Sequence, residues 1–552
     1  MKKNKEKIIH RLAILAVILL IALLSPRSGF SGEVGRLGKD GKNGGTENAL
    51  PAVPDASGTI AFKLSDASSL AALTTDVLQA YAGFSKFGGV PDTTAKLASS
   101  LEMIREFALA ASEMSLLITP SDTPSVYLSL FVNEEAFDNF VSGRREFERW
   151  PGAPSEGTGW TLKIETPAYR SDQALYILKL HSGRRTMVLI SDNARGVADM
   201  ANAALGISPG FKAERVTAGD SYYQIKFRDG VTVGDIIEHF TFNKNSRGLM
   251  ETLAADLEYV LWSRVECSWT LDGETLSMES YSDMFQLNND LAARKATVET
   301  ADIFGEGDLA YFFSVDADFL LRFIFLGAND PVGFLFSLAG DDFPPLFSER
   351  ELRKIVDSGV LSIVCVADGP SISTAYLLLE SEAPEVVDKL FSLSYLMRGR
   401  HAEIQGWENA MTWPVPIPGF PEIVLAKNGG ALLIGLGSDE SLGKKLTVPE
   451  AYEPYVSRDN AIGVIVTPRL LDIMIDLAEL AADLSEQEMS SGDELIYEAI
   501  TSLRDSFELI CGRFFLTGKG DGKIVFSEGG NLLGSYLKLL SAIALPGDNG
   551  RE

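Results

Sequence analysis

Apolar and polar positions recur along this chain in one order: an apolar strand, a polar residue and then a helix. The order begins at Thr59, Tyr222, Leu309 and Ala461, as in the runs TIAFKLSD and AIGVIVTP. Apolar residues then recur at helical spacing, which is typical of amphipathic helices that lie on a sheet. Four similar openings predict an internal repeat.

Each predicted helix leads into a β-hairpin. Asp-Gly or Ser-Asp occurs between the two apolar runs, as in VECSWTLDGETLSMES, where a tight turn needs a positive φ or an Asx turn. Cys267, Cys365 and Cys511 precede the turn in three of these hairpins. Equivalent positions of different repeats lie apart in space, so we predict buried thiols and no disulfide between them.

A second kind of segment separates the repeated units. It begins at Trp160 and again at Trp407, and in both places it contains strands, a Gly-containing hairpin and a helix. This larger period predicts an internally duplicated α+β fold with two similar halves, residues 55–300 and 301–540. Each half is predicted to contain a mixed or antiparallel sheet, hairpins and covering amphipathic helices. Residues 541–552 are predicted to form a disordered tail.

The N-terminal residues have the organisation of a secretory signal. Residues 2–11 are basic, Leu12–Leu24 is uninterrupted apolar sequence, and small or helix-breaking residues follow. The apolar run of about 13 residues is shorter than the ~20 that span a bilayer. Two outcomes therefore stay open for residues 1–31: a signal peptide cleaved after Ser31, or an uncleaved membrane anchor. Both predict an extracytoplasmic body, in the periplasm or at the cell surface, preceded by a flexible Gly-rich linker over residues 32–54.

The charge of the chain excludes one class of partner. Its 552 residues include 76 acidic and 49 basic side chains, which gives a formal net charge of −27. Such a field repels phosphate backbones, so we expect no nucleic-acid partner. With 46% hydrophobic residues, the chain can bury cores in more than one domain.

The acidic residues that follow the apolar strands point to structure rather than to catalysis. A carboxylate placed just before a helix caps its first amides and favours the helix dipole. The candidate caps are Asp66, Asp229, Asp318 and Asp439. Asp316 and Asp318 also form an acid pair of the kind that would suit Ca²⁺ or a hydrolase.

Other catalytic signatures do not occur in the sequence. None of its four histidines lies at metal-ligand spacing from a histidine or cysteine, and there is no serine-hydrolase elbow or phosphate loop. We therefore expect no metal, no cofactor and no catalytic residue. An extracytoplasmic hydrolase with an unrecognised acid pair is the alternative.

An aromatic stretch provides the candidate binding site. Phenylalanine is frequent between Tyr311 and Phe347, which predicts either helices wrapped by the core or an apolar groove for a lipid, a peptide or a partner helix. The candidate groove residues are Phe319, Phe323, Phe334, Phe336, Phe343 and Phe347. The Pro-rich run from Trp413 to Pro421 is predicted to be a covering loop, with a second docking segment as the alternative.

The run from Leu50 to Asp55, followed by TIAFKLSD and by repeated strand–Asp–helix units, resembles a family of bacterial extracytoplasmic proteins of unknown function. The resemblance implies an envelope location and carries no catalytic residue over to this chain. Together, these patterns predict a non-catalytic envelope protein that binds an envelope protein or an apolar ligand. A chaperone-like or structural envelope module is a further alternative.

Overall fold

The structure is a computed structural model. It describes residues 49–53, 58–65, 110–119, 125–163, 174–226, 264–283, 302–324, 330, 332–333, 348–369, 371–396, 399–415, 421–485, 491–515, 517–530, 532, 534–536 and 539. These residues fall into two compact units, and the division lies between Ser280 and Tyr281. Unit 1 holds the described residues up to Ser280 and those after Ser527, and unit 2 holds those from Tyr281 to Ser527. The predicted boundary at residues 300 and 301 and the predicted tail lie outside the described residues.

Unit 1 contains a sheet and two described helices. Its elements are β1 (Thr59–Leu64), β2 (Ala111–Thr119), β3 (Ser125–Val132), α1 (Glu134–Ser142), β4 (Phe147–Arg149), β5 (Gly157–Lys163), β6 (Ala174–Ser182), β7 (Arg185–Ser191), α2 (Ala194–Ala204), β8 (Ser221–Lys226), β9 (Arg264–Asp272) and β10 (Thr275–Ser282). The strands pair in the order β10, β9, β8, β1, β2, β3, β7, β6, β5, β4. Neighbours from β9 to β4 run antiparallel.

The core of unit 1 lies between one face of its sheet and α2. Leu117, Leu178 and Leu189 are fully buried on the sheet, and Val197 and Met200 of α2 belong to the same cluster. Burial of each such side chain stabilises the fold by about 1.5–3 kcal/mol. The helix is amphipathic, so packing of its apolar side orients it on the sheet.

The described end of the predicted linker 32–54 is packed into this core. Ala49 and Leu50 are each 1% exposed, and the Leu50 carbonyl accepts a hydrogen bond from the Phe211 amide at 2.7 Å. Pro51 forms an isolated antiparallel bridge with Gly210. The folded body therefore includes Ala49 and Leu50, which the sequence assigned to the linker. The prediction missed them because it rested on the average composition of a Gly-rich segment, in which one apolar pair has little weight.

Unit 2 contains ten further described strands and more described helices. Its elements are β11 (Asp308–Asp316), α3 (Ala317–Ile324), α4 (Glu349–Ser358), β12 (Val360–Asp368), β13 (Ser371–Glu380), α5 (Pro384–Ser392), β14 (Arg400–Ala402), β15 (Asn409–Trp413), β16 (Glu422–Asn428), β17 (Ala431–Gly437), α6 (Asp439–Leu442), β18 (Ile462–Val466), α7 (Pro468–Ser485), α8 (Ser491–Arg504), β19 (Phe507–Phe514) and β20 (Lys519–Phe526). Short 3₁₀ helices lie at Leu393–Leu396 and Glu453–Tyr455. The strands pair antiparallel in the order β20, β19, β18, β11, β12, β13, β17, β16, β15, β14.

The main core of unit 2 lies on one face of its sheet. Phe312, Val364, Leu433 and Ile465 are at most 1% exposed there. Tyr376 belongs to the same cluster, and its hydroxyl accepts a hydrogen bond from the Phe304 amide at 2.7 Å. Burial raises the pKa of Tyr376, so its hydroxyl stays neutral.

The helix starts correct two of the predicted caps. Asp316, not Asp318, caps α3, since its carboxylate accepts a hydrogen bond from the Phe319 amide at 2.9 Å. Asp318 lies two residues after Asp316 and is the second residue of the helix. Ser438 caps α6, and the predicted cap Asp439 is the first residue of that helix. The other two candidates, Asp66 and Asp229, lie outside the described residues. Asp318 and Asp439 are therefore acidic residues of the first helical turn and not caps. Both a cap and an acidic residue in the first turn stabilise the N-terminus of a helix.

The predicted α+β class is confirmed, with antiparallel strand pairing and helices packed against the sheets. In the part of the chain that the structure describes, no helix has the length and apolar character to cross a membrane. Residues 1–48, which include the predicted signal or anchor, lie outside that part.

Candidate functional site

The acid pair predicted as an alternative catalytic centre is buried in unit 2. Asp316 and Asp318 are 2% and 4% exposed, and one oxygen of Asp316 serves the α3 cap. Within the described residues, no group of three His, Cys, Asp or Glu side chains is arranged to hold a metal ion. The carboxylate of Asp316 therefore has a structural role at the start of α3.

The three cysteines are free thiols, and two of them are buried. Cys267 and Cys511 are 4% and 2% exposed, and Cys365 is half-buried. Burial, and then the charge of the neighbouring Glu266, raise the pKa of Cys267 to about 12. Burial raises the pKa of Cys365 to about 11.

We expect a thiol reagent such as DTNB, at about pH 8, to leave Cys267 and Cys511 unmodified in the folded protein, because a raised pKa and burial both withhold the reactive thiolate. Cys365 should react slowly, at a rate that increases with pH as its thiolate fraction grows. All three should react in denaturant, as absorbance at saturating reagent would report. Rapid modification of Cys267 before unfolding would contradict its described burial.

The candidate groove residues fall mostly outside the described residues. Phe334, Phe336, Phe343 and Phe347 are among those outside, and only the backbone of Phe323 is described, within α3. Phe319 is 3% exposed and packs with Val315 and Ala461, with its ring centroid 5.7 Å from that of Phe514. In the Pro-rich run, residues 416–420 are outside as well.

A broader apolar surface lies on the sheet of unit 2, on the side opposite its main core. Directly paired residues of an antiparallel sheet share a face. Reading the register across β11, β12, β13, β17 and β16 gives one row of apolar side chains: Phe313, Ile363, Leu377, Ile434 and Leu425. The adjacent row, read in the same way, is Tyr311, Cys365, Ala375, Leu436 and Ile423. We call these two rows the apolar face.

The centre of the apolar face is open to solvent. Ile363, Ile423 and Ile434 are 40%, 42% and 48% exposed, while Leu377 and Leu436 are half-buried. Adjacent strands are ~4.8 Å apart, so the exposed positions on β12, β17 and β16 belong to one continuous strip. Contiguous exposed apolar area makes this strip the candidate binding surface of unit 2.

Helices bound the apolar face on three sides. Phe319 and Leu320 of α3 pack beside Phe313 at one edge. Ile473 of α7 packs beside Cys365 at another edge, and Phe391 of α5 packs on Leu425. The apolar face is therefore the base of a shallow groove bounded by helices.

The side chains of α7 extend the apolar wall. Leu470, Ile473, Met474 and Leu477 are spaced so that they share one side of that helix. Ile473 is buried against the sheet, whereas Met474 and Leu477 are 44% and 38% exposed. The same stripe therefore begins in contact with the sheet and continues into solvent.

A sequence signal for this face did exist. Strands β12, β13 and β17 carry nearly continuous apolar runs, LSIVCV, AYLLL and ALLIGL, instead of the alternation expected of a strand with one wet side. Such runs indicate two apolar faces, but they do not tell whether the second face is covered. Only the tertiary structure places the three exposed isoleucines next to one another.

Unit 1 has a buried polar cluster around Glu266 on β9. This carboxylate is 1% exposed and accepts hydrogen bonds from the Thr217 hydroxyl and the Thr217 amide, the latter at 3.0 Å. The Val216 amide and the Gln224 side chain also donate to it, at 3.2 and 3.0 Å. The Arg215 guanidinium lies 3.7 Å away and stacks over Tyr222. The cluster fastens the segment before β8 to the sheet.

A small cleft lies near this cluster, with a volume of about 110 Å³. Its walls include Gln224, Lys212 and Lys226 together with Glu214. The Gln224 amide is already engaged by the Glu214 carbonyl and by Glu266. Cationic and anionic groups therefore share the cleft, and its charge favours no single ligand class.

No protein family, curated protein or solved structure matches this chain.

Proposed function

We propose that this chain is an exported, non-catalytic binding protein that holds an apolar chain on the apolar face of unit 2. The observation that carries the proposal is the row formed by Ile363, Leu377 and Ile434, whose outer members are 40% and 48% exposed although they lie on a sheet. The secretory organisation of the N-terminus supports an envelope location, either free or anchored. The buried, cap-forming state of Asp316 favours binding over a hydrolase.

The dimensions of the face suit a single acyl chain. The exposed strip crosses from β12 to β16, which is three strand spacings or about 14 Å. Each methylene that leaves water contributes about 0.8 kcal/mol, so ten methylenes contribute about 8 kcal/mol before the costs of association. That range corresponds to a micromolar dissociation constant or weaker.

The charge of the protein narrows the ligand class. A net charge of −27 repels an anionic head group. The apolar face itself carries no charged side chain in its two rows. A neutral acyl lipid, such as a monoacylglycerol, is therefore favoured over a fatty acid anion or a phosphatidylglycerol.

The proposal includes internal duplication of the fold, and the strand order supports it. In unit 2 the order of paired strands repeats that in unit 1 with every strand number raised by ten. The helices α1 and α5 follow the third strand of each unit, and α2 and α6 follow the seventh. Coincidence in ten strands and two helix positions is much easier to reach by duplication than by independent assembly.

Residue register supports the same duplication. Trp160 pairs with Ile177 in unit 1, and Trp413 pairs with Ile423 in unit 2. Each isoleucine lies five residues before the end of its strand. Trp413 therefore occupies in unit 2 the position that Trp160 occupies in unit 1. The sequence pattern had aligned Trp160 with Trp407, which lies before β15.

An ion pair recurs at the helix that follows the third strand. Asp138 of α1 accepts hydrogen bonds from Lys179 of β6, the shorter at 2.7 Å. Asp388, at the same position of α5, accepts one from Lys427 of β16. Lys427 lies two residues nearer the end of its strand than Lys179 does, and therefore on the same face. Both lysines are shielded from solvent, with side chains 12% and 14% exposed.

The two units differ at the apolar face, which supports a specialised role for unit 2. Val188 of unit 1 and Ile434 of unit 2 both lie three residues after the first residue of the strand. Val188 is completely buried, but Ile434 is 48% exposed. Ile177 and Ile423 differ in the same sense, at 2% and 42%. The side chains at these positions are buried in unit 1 and exposed in unit 2.

We expect the neutral fluorescent probe N-phenyl-naphthylamine to bind the full chain and to be displaced by monolaurin. Ile434→Lys should weaken probe binding at least about tenfold, because a charge in the exposed row must be desolvated when the probe binds. Fluorescence titration measures the dissociation constant. Val216→Lys is the matched control, since Val216 is 41% exposed and lies in unit 1.

Equal loss of binding in both variants would indicate general apolar adsorption and contradict the proposal. Unchanged binding in Ile434→Lys would place the probe elsewhere. Modification of Cys365 gives an independent readout, since this thiol lies in the apolar face. Saturating monolaurin should slow its reaction with DTNB in the wild-type chain and not in Ile434→Lys.

A further inference from the structure

The C-terminal end of α2 in unit 1 presents two aliphatic side chains to solvent. Leu205 is 43% exposed and Ile207 is 71% exposed. No charged residue occurs from Leu205 to Phe211 (LGISPGF). In a chain with a net charge of −27, this is a neutral and apolar projection.

The backbone holds this projection in place. The Ile207 amide donates to the Asn202 carbonyl at 2.8 Å, and the Gly206 amide donates to the Ala203 carbonyl at 3.0 Å. Gly206 has φ of +73°, which completes a Schellman motif. In that motif the residue at the Ile207 position usually packs back on its helix. Here it extends into solvent instead.

The N-terminal segment joins the folded body beside this projection. Gly210 bridges Pro51, and the Phe211 amide donates to the Leu50 carbonyl at 2.7 Å. Gly210 is three residues from Ile207, which limits the separation of their Cα atoms to about 11 Å. The chain that leads to residues 1–31 therefore leaves unit 1 next to Leu205 and Ile207.

The length of the preceding chain limits how far this surface lies from an anchor. Residues 25–48 connect the end of the apolar segment Leu12–Leu24 to Ala49. The flexible Gly-rich linker that the sequence predicts would have, at this length, a root-mean-square span of roughly 25–30 Å. An anchored chain would thus keep the projection close to the bilayer surface.

We infer that the projection formed by Leu205 and Ile207 touches the lipid surface of the membrane in which the N-terminal segment is anchored. This rests on the anchored form of the proposed function. Two aliphatic side chains bind a bilayer weakly, but attachment through the linker that the sequence predicts would supply an effective concentration on the order of millimolar. Weak contact therefore suffices when the chain is anchored. A neutral projection also approaches a lipid surface without the repulsion that the acidic body meets.

Depth-dependent quenching of a fluorescent label tests the inference. The full chain, with Cys365→Ala and Ile207→Cys, is labelled with NBD and reconstituted through its N-terminal segment into phosphatidylcholine vesicles. NBD at residue 207 should emit at shorter wavelength and be quenched severalfold more by spin-labelled phosphatidylcholine than NBD at Arg184→Cys. Arg184 is the matched control because it is exposed in the turn between β6 and β7 of the same unit.

Equal quenching at the two positions overturns the inference. N-terminal sequencing of the chain extracted from membranes provides a second measurement. A chain that lacks Leu12–Leu24 and leaves the membrane fraction would also overturn it. Either result leaves the ligand proposal for unit 2 open to its own test, because monolaurin displacement is measured separately on the wild-type chain. Loss of that displacement with strong quenching at residue 207 would instead count against the ligand proposal alone.

Discussion

Glu266→Ala is expected to destabilise unit 1 by about 3–5 kcal/mol, the range for removing one partner of a buried charged cluster. The substitution leaves the Thr217 hydroxyl and the Val216 and Thr217 amides without their acceptor. It removes one of the two acceptors of the Gln224 amide. It also leaves the Arg215 guanidinium without its nearest carboxylate. Each unsatisfied buried group adds a desolvation penalty that the unfolded chain does not have.

Urea unfolding monitored by tryptophan fluorescence measures this effect. Trp269 lies on the same strand as Glu266 and is 6% exposed, so it reports the unfolding of that region. Glu279→Ala is the matched control, because Glu279 accepts a hydrogen bond from the neighbouring Ala218 amide at 2.8 Å but is exposed. The control should change stability by less than about 1 kcal/mol.

Glu266→Gln should have an intermediate effect. The amide keeps one acceptor oxygen for the Thr217 hydroxyl, but it loses the negative charge that faces Arg215. A loss in Glu266→Ala no larger than in Glu279→Ala would mean that the buried cluster contributes no more than an exposed contact. The described geometry around Glu266 would then be wrong.

Val188→Lys should destabilise the protein much more than Ile434→Lys, although the two residues occupy the same register position in their units. Val188 is 0% exposed and pairs with Leu130 and Lys179. A lysine there either buries its charge beside another lysine or forces the strand apart. We expect unit 1 to lose at least about 4 kcal/mol.

At Ile434, 48% of the side chain already faces water. A lysine can place its ammonium group in solvent while its methylenes remain on the sheet, so we expect a change within about 1 kcal/mol. Thermal unfolding and urea titration of the two variants measure the difference. Similar destabilisation of both variants would contradict the open surface on unit 2 and, with it, the proposed binding face.

Apolar periodicity alone was sufficient to predict the fold class, because it records the burial of sheets and helices. Runs at Thr59, Leu309 and Ala461 became strands β1, β11 and β18. The hairpins that contain Cys267 and Cys365 turn at the predicted Asp-Gly pairs. In the hairpin that contains Cys511, the predicted Asp521-Gly522 pair lies within β20 instead, and the chain turns between Phe514 and Lys519. Local sequence predicted the capping residues less well. Asp316 and Ser438 cap their helices, whereas Asp318 and Asp439 were the predicted caps.

The candidate site depended on information that no local pattern carries. Phe319 was selected for its aromatic neighbours, and the structure buries it at the edge of the apolar face. Ile363 and Ile434 are ordinary strand isoleucines in sequence, 71 positions apart. They meet on one face because β13 pairs with β12 on one side and with β17 on the other.

The sequence by itself determined the α+β class and the acidic charge, and it predicts a secretory organisation of the N-terminus. Each of these depends on composition or on short-range periodicity. The tertiary structure alone decided that Ala49 and Leu50 belong to a core, that Glu266 is buried among donors, and that Ile434 is open where Val188 is closed. Those outcomes depend on which distant segments cover a given side chain, and a residue's own neighbours in sequence do not encode that.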